Sequence, residues 1–448
     1  MRNQNNDIHP VLTPSPWKGW ALFGIAAIIV FSLGMFATSI AERRHEANLP
    51  PQMLTPIAED EPDSAVWGKN FPNEYESWKQ TAETGSSTKY GGPKPFSHLE
   101  RDPMLNTLFA GYPFSVEYND DRGHMHSIED VRGTARRDPA RGGKLQPGTC
   151  LTCKSSNVPG LMKQMTPGGF YKSKFADVNA KISHPIGCAD CHDSKTMNLR
   201  VSRPALREAY AAMGKDIDKV SQQELRSLVC AQCHVEYYFA KKDGQKKGTY
   251  LTFPWNRGTN IDQIEEYYTS DVQHVDWTHQ VSKTDMIKMQ HPDYELYLTG
   301  VHAERGVSCA DCHMPYKSEG GMKFTDHHIQ SPLKNVSNTC GVCHRWSEKE
   351  IIKRVETIQD KNREMMDRAE RALVSAHNEI GKAKSAGATD AQLSDARSLV
   401  RRAQMRWDFI NASNGMGFHS PQECARILAS SIDLAQEARI KVAKLKYN

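Results

Sequence analysis

The sequence predicts a mostly α chain with little sheet. Three observations carry that reading. The last hundred residues repeat their apolar positions with the period of a helix. An uncharged run near the N-terminus is long enough to form one more helix. Between these, Pro and Gly recur so often that only short helices and loops fit. The chain has 448 residues, a formal charge of +4 and a hydrophobic fraction of 38%. That length suits a large catalytic domain with accessory helices. The apolar fraction is low for a core of side chains alone, so bound groups are expected to supply apolar surface. No block of Lys and Arg is suited to phosphate, and nucleic acid is excluded as a partner.

The first element spans residues 1–46. Gly19 to Ala41 is a stretch of 23 uncharged residues, long enough to cross a hydrocarbon core as a helix. Two readings compete: a retained signal anchor, or a signal peptide cut after Ala41 with Ser39 and Ala41 as its small residues. The length of the run and the long flank before it favour the anchor. The flanking charges do not orient it, because Arg2 and Lys18 on one side balance Arg43 and Arg44 on the other. Both readings export the rest of the chain past a tail containing Pro50, Pro51, Pro56 and Pro62.

The second region, 47–346, is organised by cysteine. Ten of the 11 cysteines fall into five identical spacings. They are Cys150-Leu-Thr-Cys153-Lys154, Cys188-Ala-Asp-Cys191-His192, Cys230-Ala-Gln-Cys233-His234, Cys309-Ala-Asp-Cys312-His313 and Cys340-Gly-Val-Cys343-His344. Two thiols at this spacing form thioethers to the vinyl groups of one haem, and the next residue sits under the iron. Structural zinc pairs two such units and needs no ligand directly after each, so four His-ended motifs argue against it. The prediction is five covalent haems c, packed among short helices and loops, in an oxidising extracytoplasmic space. Cys424 stands outside the pattern and reads as a buried small hydrophobe.

Lys154 replaces histidine in the first motif. A deprotonated lysine amine can ligate iron, which makes one haem unlike the other four. Haems that only pass electrons usually have two axial protein ligands, so the four His-ended motifs ask for four more histidines. His124, His126, His302, His328 (beside His327) and His419 are the candidates. Any one of them taken singly is more often a packing residue. If four are used so, none need be assigned to the Lys154 haem, and an open iron position there would bind a small ligand. A pure electron carrier needs no open position, and that distinguishes the two function classes.

The third region, 347–448, belongs to the same domain as the second. Glu348 to about Lys384 reads as a long helix, with Ile351, Val355, Ile358 and Met365 among its apolar positions. Gly387 and Thr389 mark a break, Asp390 to Asn411 resumes, and Pro421 to Lys446 forms a last helix.

A CxxCK motif followed by four CxxCH motifs resembles the pentahaem, ammonia-forming cytochrome c nitrite reductases. Supporting segments are Gly111-Tyr-Pro-Phe-Ser115, Arg122-Gly-His124, Cys233-His-Val-Glu-Tyr-Tyr-Phe239 and Lys288-Met-Gln-His-Pro292. The N-terminal anchor departs from better-known members, which carry a cleaved signal. The resemblance implies a multihaem cytochrome c fold and six-electron reduction of nitrite to ammonium. Hydroxylamine and sulfite are side substrates of the family. The family pattern makes Lys154 the proximal ligand of the catalytic haem, and Arg136, Tyr237 and His291 the active-site residues. It gives His124 to the third-motif haem, His328 to the second, His302 to the fifth and His419 to the fourth. It also implies a structural Ca2+ held by Glu236, the Tyr237 and Lys288 carbonyls and the Gln290 side chain. A homodimer built on the long helices is expected. So is an electron donor, either a quinol-oxidising membrane cytochrome or a small soluble one, on the periplasmic side of the cytoplasmic membrane. These residue types suit the chemistry. A permanently charged Arg136 would hold the anion, His291 relay protons, and Tyr237 donate a hydrogen bond.

Overall fold

The computed structural model describes residues 16–47, 53–137, 146–242, 244, 245 and 247–445. The chain divides into two compact units, Met1–Gln52 and Met53–Asn448. The first contains helix α1 (Pro16–Ala47), whose large apolar side chains such as Leu22, Phe31 and Phe36 are exposed. It is long and apolar enough to cross a membrane. Arg2, Pro50 and Pro51 lie outside the described residues.

The second unit is mostly helical. Its sheet is confined, among the described residues, to three antiparallel two-stranded pairs. Helix α2 (Gln222–Ala231) is capped by Ser221, whose hydroxyl accepts from the Glu224 amide, and it delivers the third cysteine motif. Strands β1 (Tyr238–Ala240) and β2 (Tyr250–Thr252) pair directly after that motif. Strands β3 (Trp277–Thr278) and β4 (Asp285–Met286) precede the Lys288–Pro292 segment, and β5 (Tyr316–Glu319) pairs with β6 (Met322–Thr325) after the fourth motif.

Three long helices close the chain: α3 (Glu348–Ser385), α4 (Asp390–Asn411) and α5 (Pro421–Ala443). The expected end of α5 at Lys446 lies outside the described residues. Ser347 and Glu350 exchange side-chain and backbone bonds at the start of α3, as Thr389 and Gln392 do for α4. Gly387, at φ +101°, makes the turn between them in a region that favours glycine. The helices bury Leu373, Ile380, Val400, Trp407, Ile427 and Leu428 against one another and against Leu105, Phe109 and Met289. A second core, built from Leu151, Phe170, Tyr171, Leu228, Phe253 and Trp255, lies around the first and third motifs. Four of the cysteine motifs sit on short helical turns and the third at the end of α2, with the cavity described below between them.

Candidate functional site

Local sequence fixes each motif turn. In the second and fourth motifs the Asp of Cys-Ala-Asp-Cys caps its own helix. Asp190 accepts from the Gly187 amide at 2.7 Å, and Asp311 from the Ser308 amide at 2.8 Å. Each Asp is also held by arginine, Asp190 by fully buried Arg203 and Asp311 by Arg226. In the third motif Gln232 accepts from the backbone amides of Ser202 and Arg203 at 2.6 and 2.8 Å. None of the eleven cysteines is in a disulfide. The Cys153 and Cys233 sulfurs are within hydrogen-bonding reach of each other, as are those of Cys230 and Cys309, so the first, third and fourth motifs are neighbours.

All five motifs line one continuous cavity of about 2470 Å³. That far exceeds the roughly 300–1,000 Å³ of a single small-molecule pocket. Histidines face one another across it. Ring centres are 6.2 Å apart for His192 and His327, 6.4 Å for His313 and His419, and 6.4 Å for His302 and His344. A metal held between two opposed imidazole nitrogens at about 2 Å each puts the ring centres roughly 6 Å apart. Three of the Nδ1 edges are tied back. His192 bonds the Met197 carbonyl at 2.8 Å, His313 the Gln330 carbonyl at 2.9 Å and His327 the Thr325 carbonyl at 2.8 Å. Such bonds fix the tautomer and leave Nε2 free. Burial pushes His192, His313 and His124 down to about 4, so the rings are neutral and able to ligate. The residues present therefore fit haem with two axial imidazoles.

His327 is the residue opposite His192, whereas His328 was the expected one. Both histidines line the cavity, and their backbones are held differently. Its carboxylate accepts from the His328 amide at 3.0 Å and pairs with Lys317 at 2.7 Å, while the His327 amide donates to Ser77 at 2.9 Å. His328 is directed instead toward the Gln330 amide, 3.2 Å from its Nδ1.

Around Lys154 the cavity carries a distinct set of groups. Lys154 Nζ lies 2.8 Å from Asp121, and that ammonium, with His291 and Arg136 nearby, holds the Asp121 carboxyl well below its usual range. The Arg136 guanidinium lies 4.4 Å from the centre of the Phe114 ring and has no carboxylate partner among the described residues. Burial lowers its proton affinity. His291 is pushed down to about 4 by burial, and its buried Nδ1 has no hydrogen-bond partner among the described residues. Its ring centre is 6.1 Å from that of His234. Tyr237, stacked on Phe239, has a hydroxyl free of hydrogen bonds among the described residues, and burial raises it well above its ordinary value. Arg136, Tyr237, His291 and Lys154 thus line the same cavity from separate stretches of chain. Arg132 is engaged elsewhere, with Asn179 and the Ile182 carbonyl, whereas Arg137 also lines the cavity but bonds the Val131 carbonyl.

Beside this set, Glu236 is fully buried. It accepts from the Tyr268 hydroxyl at 2.9 Å and the Gln290 amide at 2.6 Å. Burial raises its carboxyl well above the ordinary range, and burial likewise pushes neighbouring Glu295 up to about 8. The Gln290 side-chain amide meets the Lys288 carbonyl at 3.1 Å. Turning that amide over would present its oxygen beside the Lys288 carbonyl and the Glu236 carboxylate, an all-oxygen set of the kind hard cations take.

Sequence reasoning missed Asp121, Asp293 and Phe114. Each meets its functional partner only through the fold, although Asp293 stands two residues after His291.

The sequence profile of the cytochrome c552 family matches residues 63–448. Cytochrome c-552 of Parabacteroides distasonis is 49% identical over 96% of this chain and 86% of its own length. Cytochrome c-552 of Desulfotalea psychrophila is 41% identical over 94% and 83%. Among solved structures, the catalytic subunit of cytochrome c nitrite reductase from Desulfovibrio desulfuricans, described with two calcium sites, superposes with a TM-score of 0.82. It is 34% identical, covering 87% of each chain. With its cysteine motifs gathered around one cavity, the chain belongs to the cytochrome c552 family and is a haem c oxidoreductase with a mostly α, multihaem cytochrome fold.

Proposed function

We propose that this protein reduces nitrite to ammonium by six electrons at a haem ligated by Lys154, fed by four bis-histidine haems. The observation that carries the reading is the grouping of Lys154 with Arg136, Tyr237 and His291 on one cavity, in a chain 34% identical to a cytochrome c nitrite reductase. Haem c bound at Lys154 would supply the electrons and the position where the nitrite nitrogen sits. The chain's own residues do the rest. Among the described residues no carboxylate pairs with the Arg136 guanidinium, so its N–H groups bind the anion and stabilise charge on its oxygens. His291, neutral with an Nδ1 unpaired among the described residues, holds or passes a proton at that atom. The Tyr237 hydroxyl donates to a departing oxygen.

The other four haems would be held by His192 with His327, in place of His328, by His313 with His419, and by His344 with His302. His234 pairs with His124 on the family pattern. The His291 ring centre lies 6.1 Å from that of His234, and His291 shares a segment with Asp293, which holds the Nδ1 edge of His234. Glu236, the Tyr237 and Lys288 carbonyls and Gln290 hold Ca2+. The buried Glu236 carboxylate supports this, because a cation would keep it ionised. Helix α1 anchors the exported protein to the membrane, α3 serves a homodimer, and a quinol-oxidising or small soluble cytochrome supplies electrons.

The test is steady-state turnover with a viologen donor on protein carrying its full haem complement. Six electrons consumed and one ammonium formed per nitrite is the expected stoichiometry. Reduced haems that nitrite fails to reoxidise would overturn the reading.

A further inference from the structure

The proximal histidines are not held alike. His192 and His313 each give their Nδ1 edge to a backbone carbonyl, of Met197 and Gln330. His234 gives its Nδ1 instead to the carboxylate of Asp293, at 3.1 Å. Asp293 is 8% exposed and its other contacts hold it in place. Its Oδ1 accepts from the Asn414 backbone amide at 2.6 Å, its Oδ2 from the Asn414 side chain at 3.0 Å, and its own amide donates to the His291 carbonyl at 2.7 Å. The titratable groups facing it are the imidazoles His234, His291, His419 and His313, the Glu295 carboxyl and the Cys309 thiol; of these only His234 hydrogen-bonds its carboxylate, and no arginine or lysine pairs with it among the described residues. Its negative charge therefore falls chiefly on His234.

We propose that Asp293 is a potential-setting residue for the third-motif haem. By accepting the Nδ1 proton of His234 it makes that imidazole a stronger donor and holds the haem at a lower reduction potential than a carbonyl-bonded histidine would give. This rests on the reading that His234 ligates a haem. A carboxylate partner pulls the Nδ1 proton toward itself, shifts the ring toward imidazolate and stabilises the ferric state. The axial ligand's second-shell hydrogen bond is one of the levers that set haem potentials. The location gives the effect a use. The Cys153 and Cys233 sulfurs are neighbours, so the third-motif haem adjoins the Lys154 site. A centre with a lowered potential there delivers its electron to that site with more driving force. The Asp293 carboxylate also ties His234 to Asn414, next to the Gly415–His419 loop, and its backbone amide bonds the His291 carbonyl, so one residue joins three functional segments.

The experiment is a spectroelectrochemical titration of the haem-loaded protein, without nitrite, for wild type, Asp293→Asn and Asn414→Ala. Asparagine keeps an oxygen for the Nδ1 proton and removes the charge. One low-spin haem is expected to move to a more positive potential in Asp293→Asn, with the other three unmoved. Asn414→Ala, which keeps the carboxylate, is expected to shift it much less. Unchanged potentials in a five-haem Asp293→Asn protein would overturn the proposal, as would an equal shift in Asn414→Ala. If Asp293→Asn does not mature, nitrogen-15 histidine spectra of the wild type decide. One proximal Nδ1 should be displaced toward imidazolate, and a uniform set would overturn the idea. Since no substrate is present, failure of nitrite turnover leaves this result untouched. A third motif found without haem would remove its basis separately.

Discussion

His192 and His327 face each other across the haem cavity with ring centres 6.2 Å apart and planes inclined at 41°. His327 is pinned by its Nδ1 bond to the Thr325 carbonyl, whereas the His328 ring meets the Gln330 side-chain amide. Replacing His327 by alanine is expected to convert one low-spin haem to high-spin, because one axial nitrogen is lost. His328→Ala is expected to leave the low-spin count unchanged. Electron paramagnetic resonance of the two ferric variants checks this. The reverse pattern would restore His328 as the ligand.

The same pair shows how far the sequence is legible. Counting CxxCH motifs against histidines places a ligand in Asp326-His327-His328 but cannot say which histidine faces His192. That depends on the fold, in which the His327 amide bonds Ser77, 250 residues away. The long C-terminal helices were readable because their capping residues and apolar period are local. The role of Asp293 was not, because its partners are His234, 59 residues before it, and Asn414, 121 after. Lys288 was read for its carbonyl alone. Its ammonium is enclosed by Phe109, Phe114 and Tyr118 from a distant stretch.

That ammonium is itself a test of what holds the site. Lys288 Nζ and Asp408 form a buried ion pair at 3.0 Å, and Asp408 also accepts from the Met289 amide at 2.8 Å. Asp408→Asn leaves a buried ammonium without its counter-charge. The expected loss is about 3–5 kcal/mol of stability, read as a lower guanidinium midpoint. A midpoint within error of wild type would show that the aromatic rings alone support the charge.

His279 and His377 stack with centres 3.8 Å apart, both fully buried. Their nitrogens are satisfied in the neutral form by the Thr107 carbonyl, Ser282 and Gln404. Burial pushes His279 down to about 4 and His377 well below its ordinary value. The unfolded chain binds protons near the ordinary histidine value of about 6.5 and the folded chain does not. This stability is therefore complete above pH 6.5 and is lost as pH falls from there toward 4, on the order of 3 kcal/mol for His279 alone. Denaturation midpoints between pH 7.5 and 5 should fall in wild type and fall less in His377→Gln. Parallel slopes would exclude the pair as the cause.

Lys154 is expected to be required for turnover and dispensable for attachment. Cys150 and Cys153 hold the haem covalently, so Lys154→His should keep five haems by intact mass. Imidazole in place of the amine changes the iron's electronics and removes the contact with Asp121. Nitrite turnover should then drop strongly. Wild-type rates in a five-haem variant would make the lysine incidental.

Arg136, Tyr237 and His291 come from three distant stretches, so only a shared pocket makes them act together. Arg136→Ala removes the cation that meets the anion first, and it should weaken nitrite affinity as well as slow turnover. Loss of one preorganised donor typically costs about 10² to 10³ in rate. His291→Ala and Tyr237→Phe remove a proton acceptor or donor without removing the charge. They should lower turnover at saturating nitrite and leave affinity closer to wild type. Steady-state kinetics with a viologen donor separates the two patterns, after intact mass has shown five haems in each variant. Arg132, bonded to Asn179, serves as the control, and Arg137, on the same cavity but bonded to the Val131 carbonyl, as the competing candidate. Arg136→Ala and His291→Ala both within about threefold of wild type, well under 1 kcal/mol, would disprove the pocket. A large effect confined to Arg137→Ala would move the anion clamp to the neighbouring residue.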